Sequence, residues 1–83
     1  MNEKVPDREI HIEVNEHAVS MQQREATGRE IKEAAIAQGV AIQNDFVLSE
    51  EIGERRSRVI GDDEVVKLHE HKRFIAVAPD DNS

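Results

Sequence analysis

Cysteine is absent from this chain of 83 residues, and so are tryptophan and tyrosine. Without cysteine the protein has no disulfide, no thiolate metal ligand and no thiol nucleophile for covalent catalysis. The aromatic residues are two phenylalanines, Phe46 and Phe74. The sequence therefore predicts a core built mostly from aliphatic side chains.

Long apolar runs and an excess of positive charge are also missing. No stretch approaches the roughly 18 apolar residues of a membrane span, and the polar N-terminus lacks the apolar segment of a signal peptide. Eleven lysines and arginines stand against 18 aspartates and glutamates, which gives a net charge of −7. Phosphate backbones and anionic membranes repel such a charge. We therefore expect no nucleic-acid partner, no membrane partner and a cytoplasmic location.

The length allows one small domain, since single cores typically organise about 50 to 200 residues. Residues 1–8 are polar and show no apolar periodicity, and residues 79–83 begin with a proline and continue with polar residues. We predict a flexible leader over 1–8, a folded domain over 9–78 and a flexible tail over 79–83. No P-loop, dinucleotide fingerprint or nucleophile motif occurs, so we expect no enzyme activity.

The first half of the domain contains two strand patterns and one helix pattern. Alternating apolar residues predict a strand over 9–14, and a short polar break joins it to a second strand over 18–21 as a hairpin. Thr27 and Glu30 have the spacing of a reciprocal capping box at a helix start. Gly39 suits the left-handed backbone conformation that ends a helix.

The second half predicts strands over 46–50, 55–60 and 73–78, with 51–54 as a loop. The last of these is the most continuously apolar run and is typical of a central strand buried on both faces. The whole order fits an α+β fold of the β-grasp type. In that arrangement a mixed sheet of four or five strands packs on one helix, with the first and last strands adjacent in the middle.

Two charged clusters resemble catalytic or metal sites only superficially. His69 and His71 are two apart, but zinc needs three or four converging ligands, so we interpret them as exposed turn residues and expect no metal or cofactor. The acidic residues 62–64 lie in a predicted turn with no apolar surroundings to raise a carboxyl pKa for acid–base catalysis.

A third charged cluster is basic. Arg55, Arg56 and Arg58 either form a solvated edge strand, where charge discourages aggregation, or dock on an acidic enzyme surface. With Arg73 they are the candidate docking residues.

Two short motifs stand out in the chain. One is Thr27-Gly28-Arg29-Glu30-Ile31 followed by Ala34-Ala35, and the other is the acidic turn and apolar stretch over 62–68 that leads into Arg73-Phe74-Ile75. Together they resemble motifs of the bacterial multiubiquitin-type ubiquitin-like domains. The likeness spans about residues 9–78. It implies a small protein modifier, itself no enzyme, whose C-terminal carboxylate is activated by an E1-like enzyme, passed to an E2-like enzyme and conjugated to target proteins.

The C-terminus departs from the diglycine ending of ubiquitin and the sulfur carriers. This chain ends in Pro79, Asp80, Asp81, Asn82 and Ser83. Related bacterial systems have a processing peptidase that trims the modifier, so the resemblance implies that Ser83 is a removable cap and Asn82 the conjugation terminus. Two alternatives remain: a sulfur-carrier-like protein, which the missing glycine pair disfavours, and a small acidic protein-binding module or inhibitor.

Overall fold

The computed structural model describes residues 9–79, which form seven strands and one helix. The elements in chain order are β1 Ile10–Val14, β2 His17–Met21, β3 Glu25–Thr27, α1 Gly28–Ala37, β4 Val47–Gly53, β5 Arg56–Ile60, β6 Val65–Lys67 and β7 Arg73–Val77. No helix in this part of the chain is long and apolar enough to cross a membrane.

Five of the strands form one mixed sheet in the order β2-β1-β7-β4-β5. The central pair β1 and β7 is parallel, whereas β1–β2, β7–β4 and β4–β5 are antiparallel. β3 and β6 form a separate antiparallel ribbon. With one helix on one side of the mixed sheet, this is the β-grasp arrangement that the sequence predicts, including its central first and last strands.

The predicted hairpin at the start of the domain is confirmed. β1 and β2 pair with Val14 opposite His17, so the connection is the two residues Asn15 and Glu16. Both have positive φ, 52° and 71°, as a type I′ turn requires. The twist of this turn matches that of the strands and fixes the register that places Ile12 and Val19 in the core.

The helix has the ends that its sequence predicts. The Thr27 hydroxyl accepts from the Glu30 amide, and the Glu30 carboxylate accepts from the Thr27 amide. Gly39 follows the helix with a φ of 98°, which a residue with a side chain rarely adopts. Gly28 at the helix start is required for a steric reason: a Cβ at this position would lie only 2.4 Å from the Gly61 carbonyl oxygen.

The core is almost wholly aliphatic, as the composition predicts. Phe74 is 1% exposed and is the largest of the fully buried side chains, while Phe46 is half-buried at its edge. The other core residues come from the helix, the inward faces of the strands, and the loops that follow the helix and β6: Ile12, Val14, Val19, Met21, Ala26, Ile31, Ala35, Val40, Ile42, Leu48, Ile60, Val66, Leu68 and Ala76.

Two details of the predicted strands are wrong, and the prediction lacks one two-stranded ribbon. β4 continues through Gly53, so the predicted loop over 51–54 is mostly strand, with a register shift between Glu51 and Gly53. The ribbon of β3 and β6 was not predicted, because strands of three residues are too short to show alternation. β7 is central but buried on one face only: Phe74 and Ala76 are buried whereas Ile75 and Val77 are exposed.

Candidate functional site

The C-terminal end of the central strand is held on both sides. On one side the side chain of Asn15 bonds to the backbone of Ala76. Its Nδ2 donates to the Ala76 carbonyl at 3.0 Å, and its Oδ1 accepts from the Ala76 backbone amide at 2.8 Å. On the other side Val77 pairs with Val47 of β4. The side-chain amide of Asn15 thus replaces the hydrogen bonds that a longer β1 would give to β7 at this position. The chain leaves the sheet from a fixed point.

The predicted tail begins directly after this point. Ala78 and Pro79 are exposed and belong to no helix or strand. The predicted conjugation terminus Asn82 and its neighbours Asp80, Asp81 and Ser83 lie outside the described residues, as does the predicted leader over 1–8. Asn15 was not predicted as a site residue, and its contact with Ala76, 61 positions away, leaves no local pattern in the sequence.

The side of the five-stranded sheet opposite the helix, here called the open face, carries an exposed apolar stripe beside the chain exit. The register sets Val47 opposite Val77, and sets Ser49 opposite both Ile75 and Val59. The four apolar side chains are between 37% and 62% exposed. The predicted burial of the last strand on both faces leaves no room for this stripe. The alternation of Arg73, Ile75 and Val77 is the sequence signal that points to it.

The four predicted docking arginines occupy different surroundings. Arg58 shares the helix side of the sheet with Glu50 and forms ion pairs with Glu64 and Glu50. Its hydrogen bond to Glu64 raises the pKa of the guanidinium. Arg73 lies on the open face, with Nε 3.4 Å from Glu13 Oε1 and 3.6 Å from Glu51 Oε1. These two arginines therefore point to opposite sides of the sheet.

Arg55 and Arg56 lie at the turn between β4 and β5. Arg55 has a φ of 61°, both side chains are exposed, and neither forms an ion pair within residues 9–79. Of the four candidate docking arginines, these two are the ones whose charges have no ion-pair partner within residues 9–79.

The acidic residues 62–64 form a turn, as predicted, and two of its carboxylates, those of Asp62 and Glu64, have structural partners. Asp62 Oδ1 lies 2.8 Å from Lys32 Nζ, and this hydrogen bond lowers the pKa of the Asp62 carboxyl. Glu64 accepts from Arg58 and from the Gly61 amide, and both bonds lower the pKa of its carboxyl. A general acid at neutral pH needs a raised pKa, so neither carboxyl suits that role.

The Lys32 ammonium is buried beneath this turn at 3% exposure. Besides Asp62, it donates to the carbonyls of Asn44 at 2.8 Å and Phe46 at 2.7 Å. All three of its N–H donors therefore have acceptors. The Lys32 amine is therefore enclosed by the protein, whereas Lys67 on β6 is exposed.

The histidines are exposed and dispersed. His11 Nδ1 lies 3.6 Å from Glu70 Oε1, and His69 and His71 lie in the loop before β7. No group of three or more potential metal ligands converges anywhere in residues 9–79. The described surface also carries the anchored chain exit, the apolar stripe and the two docking candidates, Arg55 and Arg56, that have no ion pair within residues 9–79.

Comparison with known families agrees with this architecture. The family model described as Multiubiquitin matches residues 10–80. Neither the curated proteins nor the solved structures contain a significant match. Because the matched segment covers nearly all of the strands, the helix and the chain exit, the chain belongs to the multiubiquitin family of ubiquitin-like proteins.

Proposed function

We propose that this chain is a protein modifier whose C-terminal carboxylate is activated by an E1-like enzyme, transferred to an E2-like enzyme and conjugated to target proteins. The observation that carries the proposal is the anchored exit of the chain. Asn15 and Val47 hold Ala76 and Val77 in the middle of a β-grasp sheet, and the chain continues from there through exposed Ala78 and Pro79. Membership in a ubiquitin-like family supports the same role.

The chemistry needs no catalytic side chain of this protein. A carboxylate oxygen attacks the α-phosphorus of ATP and releases pyrophosphate, which leaves an acyl adenylate. A nucleophile of the enzymes then displaces AMP to form an ester, and a target nucleophile such as a lysine amine displaces the enzyme. We propose that this chain acts as the substrate of these enzymes in the cytoplasm, with no nucleic acid or membrane involved.

Adduct formation with a purified E1-like enzyme tests the proposal. With ATP and magnesium we expect a slower-migrating species on a denaturing gel, and its absence when ATP is omitted. Deleting Asp80–Ser83 should abolish the adduct, whereas the matched deletion of residues 1–8 should preserve it. An adduct that survives loss of the four C-terminal residues would refute activation at the C-terminus.

The reactive terminus is a finer part of the proposal. We propose that a processing peptidase removes Ser83 and that Asn82 carries the activated carboxylate. A chain ending at Asn82 should form the adduct without the peptidase, and the full chain should form it only after treatment with the peptidase. Intact mass resolves the loss of one serine. Adducts linked through Ser83, or equal activation of both chains without peptidase, would show that Ser83 is the working terminus.

A further inference from the structure

The two edge strands of the five-stranded sheet, β2 and β5, differ in whether their outward backbone groups are hydrogen-bonded. At the β2 edge, Gln38 from the end of the helix takes the place of a neighbouring strand: its Oε1 accepts from the Ser20 amide at 2.9 Å, and its Nε2 donates to the Ser20 carbonyl at 2.9 Å. A side-chain amide that bonds both groups of one residue leaves no room for a peptide at that position. The β2 edge is closed there.

The hydrogen-bonding pattern of the sheet shows which backbone groups β5 presents at the opposite edge. Ala76 bonds to Asn15 on the β1 side, so its groups face away from β4. Leu48, directly opposite Ala76, must then face β5, and Ile60 opposite Leu48 faces back toward it. Because successive residues of a strand alternate, the amide and carbonyl of Val59 point outward.

Ser57 has the same orientation, since the register runs without a break from Ile60 to Ser57. β5 is the last strand in the sheet order, and its residues from Arg56 to Val59 are exposed. Within residues 9–79, no hydrogen bond from outside the sheet reaches the backbone of Ser57 or Val59. Two outward pairs of amide and carbonyl therefore form an open edge at these residues.

The charge at this edge selects what can pair with it. Arg55, Arg56 and Arg58 lie within four consecutive positions of a chain whose net charge is −7. A second copy pairing through the same edge would bring these arginines against their equivalents, and like charges on facing strands are destabilising. An acidic extended segment would instead meet Arg55 and Arg56, which have no ion pair within the described residues.

We propose that the open edge of β5 binds an extended acidic segment of a partner protein by strand addition. The backbone groups of Ser57 and Val59 supply the ladder hydrogen bonds, Arg55 and Arg56 supply charge complementarity, and the Val59 side chain supplies apolar contact on the open face. This binding is independent of the carboxylate chemistry proposed above and is tested without any activating enzyme.

The probe is a capped eight-residue peptide of alternating aspartate and valine, with a matched peptide in which lysine replaces aspartate. The acidic peptide should shift the backbone amide resonances of residues 56–60 in the ¹⁵N-labelled chain at low salt, and binding should weaken as salt rises. Absence of binding at millimolar peptide, equal binding of the lysine peptide, or shifts confined to β2 or to the helix would overturn the proposal.

Variants of the chain then separate the two contributions. Val59→Pro removes an outward amide at an edge position where proline is tolerated, and we expect an affinity loss of at least about tenfold. The double variant Arg55→Glu with Arg56→Glu should lose a similar factor and leaves the backbone unaltered, so it serves even if Val59→Pro fails to fold. Arg24→Glu, an exposed charge reversal outside this edge, is the control and should bind normally.

Unchanged affinity in both the Val59→Pro and the double-arginine variants would overturn strand addition at β5. A sedimentation experiment on the chain alone tests the competing occupant. Dimerisation that Val59→Pro abolishes would show that a second copy occupies the edge and would also overturn the proposal.

Discussion

Phe74 is the largest fully buried side chain of the core. It is 1% exposed on the central strand, and the core around it is aliphatic. Phe74→Ala should therefore lower the free energy of unfolding by about 3 to 5 kcal/mol, because it removes buried apolar surface and leaves a cavity. Urea denaturation followed by circular dichroism measures this loss.

Phe46→Ala is the matched control for the same chemical change. Phe46 is half-buried at the margin of the core, so its truncation should cost clearly less than that of Phe74. A loss below about 1 kcal/mol for Phe74→Ala, or equal losses for the two variants, would contradict the inward orientation of Phe74.

Single residues also show where sequence reasoning stops. The buried positions of β1 and β2 follow from alternation, because the apolar residues recur at every second position. The contacts of Asn15 with Ala76 and of Lys32 with Asp62 join residues 61 and 30 positions apart. No spacing in the sequence indicates contacts between residues so far apart. The turn itself also accounts for an asparagine at position 15, because asparagine tolerates the positive φ found there, so its presence does not point to a contact with Ala76.

At the scale of elements, the helix start is packed directly on the acidic turn. The Gly28 amide donates to the Glu64 carbonyl, and the Arg29 amide donates to the Asp62 carbonyl, each at 3.1 Å. A Cβ at Gly28 would lie 2.4 Å from the Gly61 carbonyl oxygen, which is backbone and moves only with the turn. The helix and the turn approach this closely because Gly28 has no side chain.

Gly28→Ala should therefore destabilise the protein by about 1 to 3 kcal/mol through overpacking. The sign of the change is diagnostic, because replacing a helical glycine by alanine elsewhere gains about 0.5 to 1 kcal/mol from propensity. Thermal or urea unfolding measures it. Ala37→Gly, at the exposed end of the helix, measures the change in stability between alanine and glycine that comes from helix propensity alone, and serves as the comparison. A stabilised Gly28→Ala variant would mean that the turn lies farther from the helix.

The elements differ in how well their sequences predict them. The helix has a local signal at each end, so the capping box and Gly39 are confirmed. The central position of β7 also follows from its apolar character, but its apolar run hid the alternation of buried Phe74 and Ala76 with exposed Ile75 and Val77. An apolar stripe on a surface has the same composition as a core, and the two differ in whether another layer covers that face of the sheet.

Across the molecule, ion pairs around the acidic turn join different elements of the fold. Lys32 of the helix bonds to Asp62, and Arg58 of β5 bonds to Glu64. Glu50 of β4 extends the cluster to Arg58 and to Lys72, whose Nζ lies 3.1 Å from Glu50 Oε2. The helix, the edge of the sheet and the loop before β7 are thus connected through carboxylates.

These carboxylates make stability depend on pH in a definite direction. The hydrogen bond from Lys32 lowers the pKa of Asp62 in the folded protein, and the hydrogen bond from Arg58 lowers that of Glu64. A carboxyl with a lowered pKa binds fewer protons when folded than when unfolded. Its contribution to stability is therefore complete above the ordinary carboxyl range and is lost as pH falls below about 4 and through the folded-state pKa.

We accordingly expect the free energy of unfolding, measured with urea, to decrease as the pH is lowered from about 5 to about 3. Asp62→Asn should remove part of that pH dependence, because an amide at this position does not titrate. The neighbouring Asp63→Asn is the matched control: Asp63 is exposed and forms no ion pair in the part of the chain described here, so its variant should keep the dependence of the original protein. Raised salt should change the Asp62 contribution only modestly, since the partner ammonium is buried. If the profiles of Asp62→Asn and Asp63→Asn coincide, the contact between Lys32 and Asp62 is not what couples folding to protons in this protein.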